Sequence, residues 1–257
     1  MNGPVVGERG VSDIVGFVMV FGMIASVVAI VSVAGLAGLE SARDAQQTDN
    51  AVRAMEVLSD NMGDIAERGA PSRATEISLE DASLSLGAET VVTVRDPNES
   101  ASDPSFLENR THKIRPIVYD DGDTELVYAM GAIFRDDPQG GTVVQSWSPV
   151  FDDRRTMIPV VTTVSATDTG QQIQSSTVLV RARANDRLVP VADDEGTYDD
   201  VWINVTSPRS DLWLEMLGRD SALTCSRSGA DTVSCHLDEP PERLYVTEVR
   251  IAVELKP

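Results

Sequence analysis

Apolar and polar positions follow three successive regimes along the chain. Residues 14–39, "IVGFVMVFGMIASVVAIVSVAGLAGL", contain no charged side chain, where about 20 apolar residues suffice to cross a bilayer as helix. Valine and isoleucine dominate this run, and no other stretch approaches its length. The second regime follows at once: Thr48, Ala51, Met55, Leu58, Met62 and Ile65 recur at alternating spacings of three and four. That is the seam of a helix, predicted either to join a coiled coil with other copies or to lie on the protein's own β domain. Gly69 and Pro71 supply its stop signal.

From Arg73 onward the period becomes two. Strands are predicted over 75–79, 83–86, 90–94, 113–119, 126–134, 142–147, 158–165, 174–184, 201–205 and 244–255. Turn-forming clusters separate them, including "DDGD" at 120–123, "DDPQGG" at 136–141 and "DDEGTYDD" at 193–200. One helix interrupts the strands at "SPRSDLWLEMLGRD". Ser207 is its expected cap and Pro208 its first turn, with Leu212, Trp213, Met216 and Leu217 as the buried stripe. Residues 101–112 are expected to be an exposed irregular loop.

The predicted class is therefore α+β. A long transmembrane helix continues outside the membrane and leads into a β-rich head, a sandwich or rolled antiparallel sheet with one short helix. The expected division is a leader-like segment 1–10, a transmembrane helix 11–39, a helical stalk 40–69 and a β-rich domain 70–257.

Composition narrows the setting. The chain of 257 residues carries a formal charge of −20, and its only lysines are Lys113 and Lys256. An acidic, lysine-poor surface stays hydrated where salt screens repulsion strongly, which points to a salt-loving source. Nothing forms a basic stripe able to neutralise phosphates, so nucleic acid is not an expected partner. Cys225 and Cys235, with nine residues between them, read as a disulfide across a hairpin in an oxidising compartment, with two reduced buried thiols as the alternative.

Catalytic motifs are missing from the sequence: there is no GxSxG, HExxH, P-loop or dinucleotide fingerprint. His112 and His236 have no evident nucleophile partner and read as structural or solvated. Asp120, Asp121, Asp123 and Glu125, like Asp193, Asp194, Glu195, Asp199 and Asp200, read as acidic turn tips, since neither group has calcium-loop spacing. The expectation is a protein without enzymatic activity, cofactor or metal.

The apolar run is too long for the core of an ordinary cleaved signal peptide, about 7–15 residues, and no cysteine follows it for lipidation. Small residues four apart, as in Gly22 with Ser26 and Ala25 with Ala29, permit close approach of helices. Arg9 precedes the run while Arg43 and Arg53 follow it, so charge leaves orientation open. Three glycosylation sequons, at Asn98, Asn109 and Asn204, lie on the C-terminal side together with the cysteine pair. They place the N-terminus in the cytoplasm and residues 40–257 outside.

The stretch "GERGVSDIVGFVMVFG" resembles the N-terminus of archaeal type IV pilin and archaellin precursors. There a short polar leader ends in a basic residue and glycine, and the apolar helix begins at once. The resemblance implies processing between Gly10 and Val11, with Arg9 and Gly10 ending the leader, by a prepilin-type peptidase. Bacterial pilins carry glutamate at the fifth mature position; this chain has Val15, and Asp13 is the only available carboxylate. "DNMGDIAERGAPSRATEISL", "VWINVTSPRSDLWLEML", the late cysteine pair and "LYVTEVRIAVELK" further resemble an uncharacterised pilin-like family of salt-loving archaea. Together these imply a bilayer-anchored surface protein, possible self-association through Asp13, Gly22, Ala25, Ser26 and Ala29, and no carried-over catalytic residue. An uncleaved single-pass anchor whose head binds a partner or an envelope component is the alternative.

Overall fold

The computed structural model describes residues 9–95, 110–152, 154–167, 172–193 and 200–257. Two compact units divide the chain, Met1–Asp49 and Asn50–Pro257. Helix α1 (Arg9–Ala66) contributes to both.

In the first unit, residues Ile14–Leu36 form a helical stretch of mean hydropathy 2.8, long and apolar enough to cross a membrane. Its large side chains, Phe17, Phe21, Ile24 and Val28 among them, are exposed. The Ser26 hydroxyl donates to the Gly22 carbonyl at 2.8 Å, so this polar group of the run is satisfied within the helix. Thr48 does the same towards the Asp44 carbonyl.

The second unit is built from three sheets. Sheet A has the order β1 (Ser72–Ser78), β12 (Thr177–Asp193), β16 (Leu244–Lys256), β10 (Thr156–Ser165), β9 (Val150–Phe151). Sheet B runs β11 (Gln172–Ile173), β2 (Ser83–Leu86), β5 (Ile117–Asp120), β6 (Glu125–Ala129), β7 (Ala132–Asp137), β8 (Gly140–Gln145). Sheet C runs β14 (Leu223–Arg227), β15 (Thr232–Leu237), β13 (Trp202–Thr206), β3 (Thr90–Arg95), β4 (Arg110–Ile114). All pairings are antiparallel except β10 with β16, which run parallel from Thr156 opposite Leu244 to Ser165 opposite Val253.

Sheet B is buried on both faces, which explains why "IVY", "LVYA" and "AIF" are apolar without alternation. Val118, Val127, Ala129 and Phe134 enter one core with sheet C and helix α2 (Ser210–Leu217). Ile117, Tyr119, Leu126, Tyr128 and Ile133 enter the other, with β1, part of β12 and β16, and the end of α1. Ala51, Met55, Leu58, Met62 and Ile65 lie in that second core at 0–3% exposure. The helical seam therefore lies on the protein's own β domain, the second of the two arrangements the pattern allows. Arg187 closes this helix end by donating to the carbonyls of Ile65 and Ala66, as a cation at a helix C-terminus should.

Several elements differ from the pattern's expectation. The predicted strand 113–119 breaks at Arg115 and Pro116 into β4 and β5, which belong to different sheets. The predicted strand 126–134 is a hairpin whose turn residues, Met130 and Gly131, both have positive φ, 55° and 88°, the geometry that a tight two-residue hairpin turn demands. Helix α2 starts two residues later than expected, at Ser210, because Ser207 is not its cap. The Ser207 hydroxyl instead accepts from the Arg209 N–H and from the Thr90 hydroxyl, binding α2's lead-in to sheet C. The expected stripe of Leu212, Trp213, Met216 and Leu217 is buried, with Trp213 edge-on to Phe134 at 5.1 Å.

Helix α2 sits so close to β8 that a Cβ built on Gly141 meets Leu212 Cδ2 at 2.6 Å and Cγ at 3.0 Å. Replacing Gly141 with alanine forces the Leu212 side chain out of its place between α2 and the strand, at an expected loss of about 1–3 kcal/mol. Chemical denaturation of the full chain in detergent checks this: G141A should unfold earlier, and an unchanged midpoint would contradict the packing.

Candidate functional site

The expected processing and assembly residues lie in the first unit. Arg9, Gly10, Val11 and Asp13 fall in the opening turns of α1, and their side chains lie outside the described residues. Gly22, Ala25, Ser26 and Ala29 stand three and four apart along α1, hence on one face of it. All four are exposed, and a Cβ on Gly22 would meet nothing within 4 Å.

In the second unit, Cys225 and Cys235 form the expected disulfide, S–S 2.06 Å, directly across the β14–β15 hairpin. Of the sequons, Asn98 and Asn109 lie outside the described residues. Asn204 sits half-buried on β13 and its Oδ1 accepts from the Ser234 hydroxyl of the neighbouring strand. On the same outer face of sheet C, Trp202 packs against His236 with ring centroids 5.2 Å apart. The acidic tip at 120–123 is a hairpin turn: Asp120 accepts from the Gly122 N–H, and Asp121 from those of Asp123 and Thr124. Residues 194–199 lie outside the described residues. Among the described residues no group of three His, Cys, Asp or Glu side chains could hold a metal ion.

The residue that sequence reasoning misplaced is His112. Rather than lying in an exposed loop, it is the central residue of β4, the edge strand of sheet C, at 4% exposure. It faces the core because alternation on β4 turns Arg110, His112 and Ile114 inward, opposite Val94, Val92 and Thr90 of β3. There it meets Glu248 of β16, also buried, with Nδ1 3.1 Å from Oε2. The other carboxylate oxygen, Oε1, accepts from the Thr162 hydroxyl at 3.2 Å and from Arg250 Nη2 at 2.9 Å. A buried carboxylate is tolerable only when so partnered.

Glu248 marks where the cover of sheet A changes. On one face of β16, Leu244 and Val246 enter the core beneath sheet C. On the other, Ile251, Val253 and Leu255 enter the core beneath α1 and sheet B. Past Glu248 the first face is open, so Arg250 stands half-exposed there. Bulges in β12 at this level, between Ala184 and Asp186 and between Leu188 and Val191, loosen the ladder beside it.

The result is a cleft of about 470 Å³, lined by Arg110, His112, Glu248, Arg250 and the bulged residues 188–190. Two atoms there are buried and have no hydrogen-bond partner among the described residues: Arg110 Nε and His112 Nε2. Burial, helped by the positive charges of Arg110 and Arg250, holds the imidazole below its ordinary value, although Glu248 pulls the other way. His112 is thus neutral at pH 7, with the proton on the nitrogen facing Glu248. A second cavity of about 540 Å³ adjoins the end of α1. In its lining Gln145 Nε2 donates to the Ser59 hydroxyl at 2.7 Å and the Gly131 carbonyl at 3.0 Å.

Nothing local marks the cluster in the sequence, since Glu248 reads as an outward residue of an amphipathic strand and Arg110 as loop. The available signal was small, a histidine spaced two before the apolar Ile114.

Fold and site define an α+β protein with one membrane-length N-terminal helix and a three-sheet, disulfide-bonded domain. The chain belongs to DUF7289, a family of unknown function, whose model matches residues 9–254. No curated protein and no solved structure matches the chain.

The buried histidine sets a pH dependence. Its folded-state value is depressed, while in the unfolded chain it titrates near 6.5. Below about pH 6.5 the unfolded state binds the extra proton first, so stability falls with pH until the folded value is also passed. Replacing His112 with glutamine should flatten this part of the profile. Denaturation midpoints of both proteins between about pH 7.5 and 5 test it; parallel profiles would contradict a neutral buried imidazole.

Proposed function

We propose that this is a pilin-like, membrane-anchored cell-surface protein of a salt-loving archaeon, cut between Gly10 and Val11 and able to associate through its N-terminal helix. The observation that carries this reading is the apolar stretch Ile14–Leu36, exposed on every side, placed immediately after a polar segment ending in Arg9 and Gly10. Such a surface requires lipid or other helices around it. The acidic, lysine-poor composition supports strong salt, and the disulfide supports an oxidising exterior for the β-rich domain.

Cleavage creates a charged amine at Val11 next to an apolar helix. An unpaired charge there is costly, and Asp13 of the same or a neighbouring chain is the carboxylate suited to pair with it. Co-expression with an archaeal prepilin peptidase should remove residues 1–10, read by mass spectrometry of the membrane-extracted chain. Full-length chain in both conditions would overturn the precursor reading and favour an uncleaved anchor whose head binds a partner or envelope component.

Self-association has its own measurement. Single cysteines at Ala25 or Ala29, oxidised in native membranes, should give crosslinked dimers through the small-residue face. Monomers alone would leave an anchor and no filament subunit.

A further inference from the structure

The cleft between β4 and β16 has unmet hydrogen-bonding capacity of two opposite kinds. Glu248 is complete: one oxygen takes the Thr162 hydroxyl and Arg250, the other faces His112 Nδ1. That contact directs the imidazole proton to Nδ1 and leaves Nε2 as an acceptor. Nε2 belongs to a side chain 4% exposed and has no partner among the described residues. Two positions away on the same strand face, Arg110 holds a buried Nε–H donor, also without a partner. Buried polar groups left this way are costly unless something completes them.

The surroundings restrict what that can be. Arg110 and Arg250 outnumber Glu248 in the lining, on a chain of formal charge −20, which favours an anionic group at this place. The facing wall, residues 188–190, is Leu-Val-Pro, and Leu188 and Val189 are 47% and 60% exposed. About 470 Å³ accommodates a single small ring.

We propose that this cleft binds a hydroxyl-bearing carboxylate of the uronic-acid type. Its carboxylate accepts from Arg110, a ring hydroxyl donates to His112 Nε2, and its less polar ring face rests on residues 188–190. Glu248 is a positioning residue that fixes the imidazole tautomer. The same chemistry is offered by a free sugar acid and by a uronate residue within a glycan. Binding does not depend on whether the bond between Gly10 and Val11 is cut.

The chain has two histidines, and His236 lies on the opposite, outer face of sheet C, making it an internal reference. The full chain in detergent micelles, with labelled imidazoles, is titrated with glucuronate, glucose, acetate and a glucuronate-containing disaccharide. Glucuronate should shift the His112 resonances and leave those of His236 in place. Glucose, lacking the carboxylate, and acetate, lacking the hydroxyls, should each need at least about tenfold higher concentration, the loss of one charged or neutral contact. Replacing Arg110 with glutamine breaks no ion pair among the described residues and should weaken glucuronate by a similar factor. A disaccharide binding more tightly than free glucuronate assigns the site to a glycan; equal or weaker binding assigns it to the free acid. No His112 response to glucuronate up to about 50 mM, or equal responses to glucuronate, glucose and acetate, would overturn the proposal.

Discussion

The structure depends on a sheet with no wet face. In sheet B, adjacent residues of one strand enter opposite cores: Ile117 and Tyr119 one, Val118 the other. A sheet of this kind is stable only when both faces are covered, and the chain supplies two covers of different origin. Sheet C with α2 closes one side. The end of α1 closes the other, together with sheet A. Met55, Leu58, Met62 and Ile65 are each essentially fully buried there, and exposing any one of them forfeits about 1.5–3 kcal/mol. The seam is thus committed to the protein's own core. Coiled-coil pairing through the same residues would require the domain to open.

The double cover also generates the polar cleft. Strand β16 is long enough to serve both cores, one on each face, and the two covers overlap only partly along it. Where the sheet C side ends, a strand residue is buried enough to lose water yet close enough to the rim to meet polar neighbours. Glu248 occupies that place. Its carboxylate is retained because Thr162, Arg250 and His112 converge on it from three directions, a degree of partnering that a buried charge requires. The β12 bulges beside it remove ladder hydrogen bonds where the cleft opens, consistent with the tendency of bulges to sit at sites that need a locally re-aimed strand.

Much of the fold was legible because it rests on local periodicity. The apolar run, the stripe on α2, the edges of β2, β13 and β16, and the disulfide hairpin all follow from spacing alone. The failures share a different cause. Met130 is a poor turn residue by type, so nothing in "YAMGAIF" announces the hairpin; β6 and β7 read as one strand because both of their faces are apolar. The seam of α1 was equally compatible with a partner chain and with an internal sheet, since a 3–4 spacing identifies a buried face without naming what buries it. His112 and Glu248 were invisible as a pair because their meeting is a property of sheet-on-sheet packing. Residues preceding Arg110 are polar and proline-containing, and that character was extended too far, over the first three residues of β4.

The same partition bears on how copies of the chain can meet. With the seam from Ala51 to Ile65 spent internally, contacts between chains through α1 fall to the exposed apolar stretch. In lipid there is no hydrophobic drive between helices, so association depends on close packing or on interhelical hydrogen bonds. Of the second kind the stretch offers only serine hydroxyls, and that of Ser26 is already given to the Gly22 carbonyl. What remains is shape. Gly22, Ala25, Ser26 and Ala29 form a shallow face along two turns, with Phe17 and Phe21 stacked beyond its N-terminal end at 6.2 Å. A neighbouring helix can approach closely there, and van der Waals contact must then hold the pair. Under the proposed self-association, enlarging Gly22 or Ala29 is the change that most directly blocks this face.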